Sequence, residues 1–153
     1  MVSAVKWEAA PSSSALITTG ASPGNASLAN DTLSAAGTEY ANQTSLNTYA
    51  IFEFQGTWSG GAPSDAEPTV DIFWRVKLDG TNSVDAPVTG GAQQGPLYLT
   101  SIPVRKITSA QRLRSEIVLL PPVAGTIYLD NQSGATLAAS WAVTIYTANL
   151  EGQ

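Results

Sequence analysis

The sequence predicts an all-β chain, a β-sandwich of two sheets in the jelly-roll or immunoglobulin-like manner, with about eight strands. Three observations lead there. Apolar residues recur with a period of two in several segments, the mark of strands with one buried face. Stretches rich in Gly and Pro separate those segments, and no amphipathic pattern of period 3.6 persists for three turns. Short strands joined by irregular loops suit two packed sheets better than a closed up-and-down barrel, whose hairpins would be more regular.

The first 47 residues are dominated by Ala, Ser, Thr, Gly and Asn, with Trp7, Leu16, Ile17, Leu28, Leu33, Tyr40 and Leu46 as isolated apolar anchors. Weak strand candidates fall at "ALITT" (15–19) and around residues 27–33. Such a segment buries little for its length. Within a single domain spanning 1–153, residues 1–47 read either as first strands with long loops or as a partly extended N-terminal arm that orders on a partner surface.

A half-buried strand follows from about 48 to 58, where Ala50, Phe52, Phe54 and Trp58 oppose Glu53, Gln55 and Thr57. In "TVDIFWRVKLDG", Val70, Ile72, Trp74, Val76 and Leu78 oppose Asp71, Phe73, Arg75 and Lys77, a second strand over 69–78. "SGGAPSDAEP" (59–68) between them is a loop, "LDGTN" is a turn of the Asp-Gly kind, and residues 83–95 are loose. Shorter strands are expected at "PLYLTSI" (96–102) and "RLRSEIVLL" (112–120), the latter stopped by Pro121 and Pro122. The one helix-like candidate, "ITSAQRLRSE", reads equally as a loop entering a strand.

"IYLDNQSGATLAASWAVTIY" (127–146) reads as one β-hairpin. Its first strand covers residues 126–130 and turns through "NQSG". Its second places Leu137, Ala139, Trp141, Val143 and Ile145 on one face and Ser140, Thr144 and Tyr146 on the other. Trp141, Val143 and Ile145 are expected to face Phe52, Phe54 and Trp74 across a core about 10 Å thick.

Composition narrows the function classes. Charged residues make up 12% of the chain against 43% hydrophobic ones. That is about half the ~25% charge of an ordinary soluble domain, so the surface is neutral and polar and suits packing against other copies or a lattice. A net charge of −5 argues against nucleic acid as a partner. With no His and no Cys, the commonest general base, thiolate nucleophiles and the usual zinc ligands are missing, so no enzyme, cofactor or metal is expected. The start lacks the apolar core of a secretory signal and no run approaches a membrane span, so the chain is expected to be made in a cytoplasm and to bind no membrane.

Several residues suggest chemistry and also have plainer readings. Glu53 and Asp71 would form a glycosidase-like carboxylate pair if their strands were neighbours, and are otherwise solvated strand residues. "DGTNSVD" (79–85) offers oxygens for calcium but lacks the alternating acids of an EF-hand loop, so a turn is the plainer reading. The sequons at Asn25, Asn30, Asn42 and Asn131 fit a chain rich in Asn, Ser and Thr. Arg105, Lys106, Arg112 and Arg114 form one positive segment in an acidic chain, either a dock for an acidic partner or a solvated loop. Phe73 is the large aromatic on the polar face of its strand, so it meets another chain or a loop folded over it. With Trp7, these five residues are the candidate partner-binding set.

The succession "SLANDTLSAAGTEYANQTSLNTYAIFEF", "DIFWRVKLDGTN" and "IVLLPPVAGTIYLDNQSGATLAASWAVTIYTANLE" resembles small virion proteins of tailed bacteriophages, especially capsid decoration or cement proteins. The likeness covers most of residues 27–150. It rests on the "LDGTN" turn, the approach Leu120, Pro121, Pro122, Gly125 and Tyr128, and the turn Asn131, Gly134 and Leu137 to Ser140, although "LPPVAGTIY" is longer than the family's usual approach. The resemblance implies a sandwich on the outside of a phage head, a dimer or trimer that binds the major capsid protein and does no catalysis. The rivals are a tail- or fibre-associated virion protein, or a carbohydrate-binding sandwich in which Trp58 would stack on sugar.

Overall fold

The computed structural model describes residues 5–7, 12–17, 26–79, 81–85 and 97–152. The strands of its first half are β1 (Val5–Trp7), β2 (Ser12–Ile17), β3 (Thr32–Leu33), β4 (Glu39–Ala41), β5 (Tyr49–Gly56), β6 (Trp58–Ser59) and β7 (Thr69–Lys77). Those of its second half are β8 (Leu97–Pro103), β9 (Gln111–Arg114), β10 (Val118–Leu119), β11 (Ala124–Gln132), β12 (Thr136–Leu137), β13 (Ala142–Ala148) and β14 (Leu150–Gly152). A single helical turn, α1 (Asn42–Ser45), separates β4 from β5.

Two antiparallel five-stranded sheets make a β-sandwich. In the front sheet β9 and β10 both pair with β5, followed by β13 and β2. In the back sheet β3 and β4 both pair with β11, followed by β7 and β8. The alternation in the sequence sets which side chains point inward. Phe52, Phe54, Val143 and Ile145 of the front sheet meet Val70, Ile72, Trp74, Ile127 and Leu129 of the back sheet in one buried cluster. At roughly 25 cal/mol per Å² of apolar surface, each aromatic in it contributes a few kcal/mol before entropy.

Both sheets break one edge strand into two short pieces and mend the gap with a serine. Between β9 and β10, Ser115 donates its backbone N–H to the Phe52 carbonyl (2.8 Å), and its hydroxyl accepts the Phe52 N–H (3.0 Å). Between β3 and β4, the Ser34 N–H bonds the Leu129 carbonyl (2.8 Å) and its hydroxyl accepts the Leu129 N–H (3.0 Å). In each case the side chain replaces a missing ladder acceptor, so the central strand keeps its N–H satisfied while the edge bends.

Two expectations are corrected. Residues 127–146 are not a hairpin, because β11 belongs to the back sheet and β13 to the front one. Both strands bury a full apolar face, and the intervening chain is long enough to change layers. It does so through positive φ at Gly134 (77°) and Ser140 (75°), with β12 pairing to β6 across the end of the sandwich. Phe52 and Phe54 consequently lie beside Ile145 and Val143 in register rather than opposite them. Of the three residues expected across the core, only Trp74 sits on the facing sheet.

Residues 12–17 and 26–47 lie along this framework. β2 edges the front sheet with Leu16 and Ile17 buried, and the Leu16 carbonyl accepts the Thr38 N–H (2.6 Å), linking the two sheets at that side. Leu28 bridges to Leu137. Asn47 donates to the Tyr40 hydroxyl (2.6 Å), and Asn149 donates to the Asn47 side-chain carbonyl (3.2 Å), tying the early segment to the last strands.

Candidate functional site

The outer surface of the front sheet changes character along its length. β5 presents Tyr49, Ile51, Glu53 and Gln55 outward, alternating with buried Ala50, Phe52 and Phe54. Tyr49 has Leu119 opposite it on one side and Ala148 on the other, while Tyr146 stands opposite Ile51. Leu119 is 68% exposed and its neighbour Ile117 58%, two large aliphatic side chains close together on one surface. Further along the same strand, Arg114 lies opposite Glu53 and Arg112 opposite Gln55.

Glu53 is the electrostatic centre of this polar end. Arg112 donates Nε–H to Oε2 (2.8 Å) and Gln55 donates to Oε1 (2.8 Å). Partial burial pushes the Glu53 carboxyl up, but the bonds from Arg112 and Gln55, with the arginine's charge and a bond from Tyr146, outweigh it and hold the group below the usual carboxylate range. The same bond to Glu53 and its charge raise the Arg112 guanidinium further. Both groups therefore stay ionised across the physiological range.

Arg105 and Lys106 lie in the segment leading into β9, and Gln111 shapes it. That carboxamide, 2% exposed, accepts the Arg105 N–H (2.8 Å) and donates to the carbonyls of Arg105 (2.8 Å) and Ile107 (3.2 Å). The two cations and Ile107 are consequently carried outward on a braced loop. An open depression of about 290 Å³ beside Arg112 is lined by Gln55, Thr57, Gln111 and Ser140, with no acid in its wall.

The back sheet places the other candidates. Phe73 faces outward as the alternation requires, yet it is 6% exposed and packs edge-on against Tyr98, ring centroids 5.6 Å apart. Tyr98, 55% exposed on β8, is the member of that pair that meets solvent. Trp7 pairs through its backbone with Leu150, and its side chain lies outside the described residues.

Glu53 and Asp71 are not neighbours: β5 and β7 lie in different sheets, so the two carboxylates stand on opposite faces of the sandwich. Asp71 instead accepts a hydrogen bond from Ser101 (2.5 Å) and sits opposite Asp130. The Asp79 carboxylate is consumed by its own turn, accepting the N–H groups of Thr81 (2.9 Å) and Asn82 (2.6 Å) and the Asn82 amide (2.6 Å). Those bonds hold its pKa down at about 2. Trp58 is 5% exposed and donates Nε1–H to Ser133 (2.8 Å), so it offers no platform for a sugar ring.

The sequons at Asn42 and Asn131 are fully buried. Asn42 donates to the carbonyls of Asn47 and Pro121, and Asn131 to those of Leu28, Ala29 and Ala135, so both amides are structural. Asn25 lies outside the described residues.

Sequence reading missed Ile117, Leu119 and Tyr98. Treating 112–120 as one strand puts Leu113, Ile117 and Leu119 on a common face. The bend at Ser115 reverses the phase, so that Leu113 and Val118 turn inward while Ile117 and Leu119 join Arg112 and Arg114 outside. No family model matches this chain, and no curated protein matches it. No helix among the described residues is long and apolar enough to cross a membrane.

Proposed function

We propose that this chain is a non-enzymatic structural protein of a phage virion, a capsid decoration or cement protein that binds the outer surface of the head and stabilises the shell. Its partners are the major capsid protein and neighbouring copies of itself. The observation that carries this reading is the presence of exposed large apolar side chains on both sheets of a charge-poor sandwich. Ile117 and Leu119 lie on the front sheet, Leu97 and Tyr98 on the β8 edge of the back one. A surface of that kind suits a molecule packed between neighbours, and the sequence resemblance described above supports the same assignment.

A protein that binds only the assembled lattice stabilises it by mass action, and many modest bridges between shell subunits add up because they must fail together. The alternative, a tail- or fibre-associated protein, draws on the same exposed aromatic, Tyr98.

Quantitative mass spectrometry of purified virions tests the assignment. A copy number near that of the major capsid protein, or a simple fraction of it, is expected. A handful of copies per particle moves the chain to the tail or fibres, and absence from the particle overturns the virion reading.

A further inference from the structure

We infer that the outer face of the front sheet is the docking surface of this chain, and that its occupant is a different protein presenting apolar side chains beside carboxylates. Identifying that partner with the capsid shell rests on the function proposed above. The face has two adjoining parts. One is apolar, with Leu119, Tyr49 and Ala148 in one cross-strand row, Ile51 and Tyr146 in the next, and the exposed Ile117 in the link between β9 and β10. The other is basic, with Arg112 and Arg114 on β9 and Arg105 and Lys106 on the loop braced by Gln111.

Residues 105–119 hold four of the chain's seven Lys and Arg but one of its twelve Asp and Glu, so the positive charge is gathered on this part of an acidic molecule. Charge complementarity then decides the occupant. A second copy set face to face about a two-fold axis through the basic part would bring arginine against arginine, and one about an axis through the apolar part would leave the four cations without partners in the contact. A surface carrying acids matches the arginines, and its apolar groups cover Ile117 and Leu119 where truncation costs most.

The surface is also built before any partner arrives. The loop is pinned by the buried Gln111 carboxamide, and the guanidinium of Arg112 is oriented by Glu53. The loop backbone and the Arg112 guanidinium therefore lose less entropy on docking than free ones would.

The test uses the full chain and purified particles lacking it, with binding read by co-sedimentation at several salt concentrations. Two double variants are compared with the wild type, Ile117→Ser with Leu119→Ser and Arg105→Glu with Lys106→Glu. The second pair leaves the Arg112–Glu53 contact intact, and thermal melting of each confirms the fold. Each pair is expected to weaken binding about ten-fold or more, with wild-type affinity falling as salt rises. Wild-type chain that fails to bind overturns the virion reading and this partner together. Wild-type binding that neither pair weakens overturns the face alone. Light scattering that finds a dimer of the free chain abolished by Ile117→Ser with Leu119→Ser shows the occupant to be a second copy and overturns the acidic partner.

Discussion

Among the described glycines, Gly125 leaves least room for a side chain. It lies on β11 with the Trp74 indole across it, and a Cβ built there would stand 2.1 Å from Trp74 Nε1 and 2.8 Å from the Arg75 carbonyl. Gly125→Ala must therefore displace either a buried indole or a central strand, and is expected to cost about 3 kcal/mol in urea unfolding. Gly134 is constrained for a different reason, a φ of 77° in the turn that leaves β11. Asp130 shows the opposite situation, a residue whose native environment does not suit it. Its Oδ1 is buried without a hydrogen-bond partner, Gln132 reaches only Oδ2, and Asp71 stands directly opposite. Burial pushes its carboxyl up, and the charges of Asp71 and Asp31 add to that against the Gln132 bond. A raised carboxylate pKa means the folded chain holds this proton more tightly than the unfolded one. The penalty is thus fully present above the folded pKa and disappears as pH falls through it towards the ordinary aspartate value. Asp130→Asn is expected to stabilise the protein by about 1 kcal/mol at pH 7, with the gain vanishing in acid. Thermal melts over that pH range decide it, and a gain independent of pH would mean the charge is not its source.

Ser34 and Ser115 carry the corresponding argument at the level of the strand. Each hydroxyl accepts an N–H from a central strand that has no backbone partner there. Removing it strands the Leu129 or Phe52 amide, and Ser115→Ala is expected to cost about 1 to 2 kcal/mol, with Ser34→Ala at the lower end because that site is less enclosed. Amide hydrogen exchange at Phe52 and Leu129 is the direct check, since each variant should speed exchange at its own amide and leave the other protected. The strands themselves were legible wherever one face is buried along an uninterrupted run. β7 follows its period-two pattern from Val70 to Val76 without exception among the inward residues. The pattern failed at Ser115 because a bend resets the phase of alternation without changing composition, and the side-chain bond that permits the bend depends on a strand distant in sequence. The outward placement of Ile117 and Leu119, and with it half of the candidate site, was hidden for that reason. The basic half was visible, since clustering of charge is a local property of the chain.

Assembly of the layers was the least legible part, because period two says that a face is buried and not which sheet buries it. β11 and β13 satisfy their alternation equally well as a hairpin or as members of opposite sheets, and only the joint requirements of β5 for β13 and of β7 for β11 separate the two. The same long-range closure bears on the first part of the chain. β2 fills the edge of the front sheet beside β13, with Leu16 1% and Ile17 4% exposed, and Trp141 donates its Nε1–H to the Ala26 carbonyl (3.0 Å). If these contacts hold the isolated molecule together, deletion of residues 1–17 removes two buried aliphatic side chains and uncovers the edge of β13. At about 2 kcal/mol for each such side chain, the loss is about 4 kcal/mol, or a fall in melting temperature of about 10 °C for a domain of this size. The uncovered edge should also make the shortened chain prone to associate through strand pairing. An arm that orders only on its partner gives the reverse pattern, with unchanged melting and monomeric behaviour in the isolated chain and loss confined to particle binding. Melting and light scattering of the shortened chain, set beside its affinity for particles, separate these two roles of the N-terminal segment.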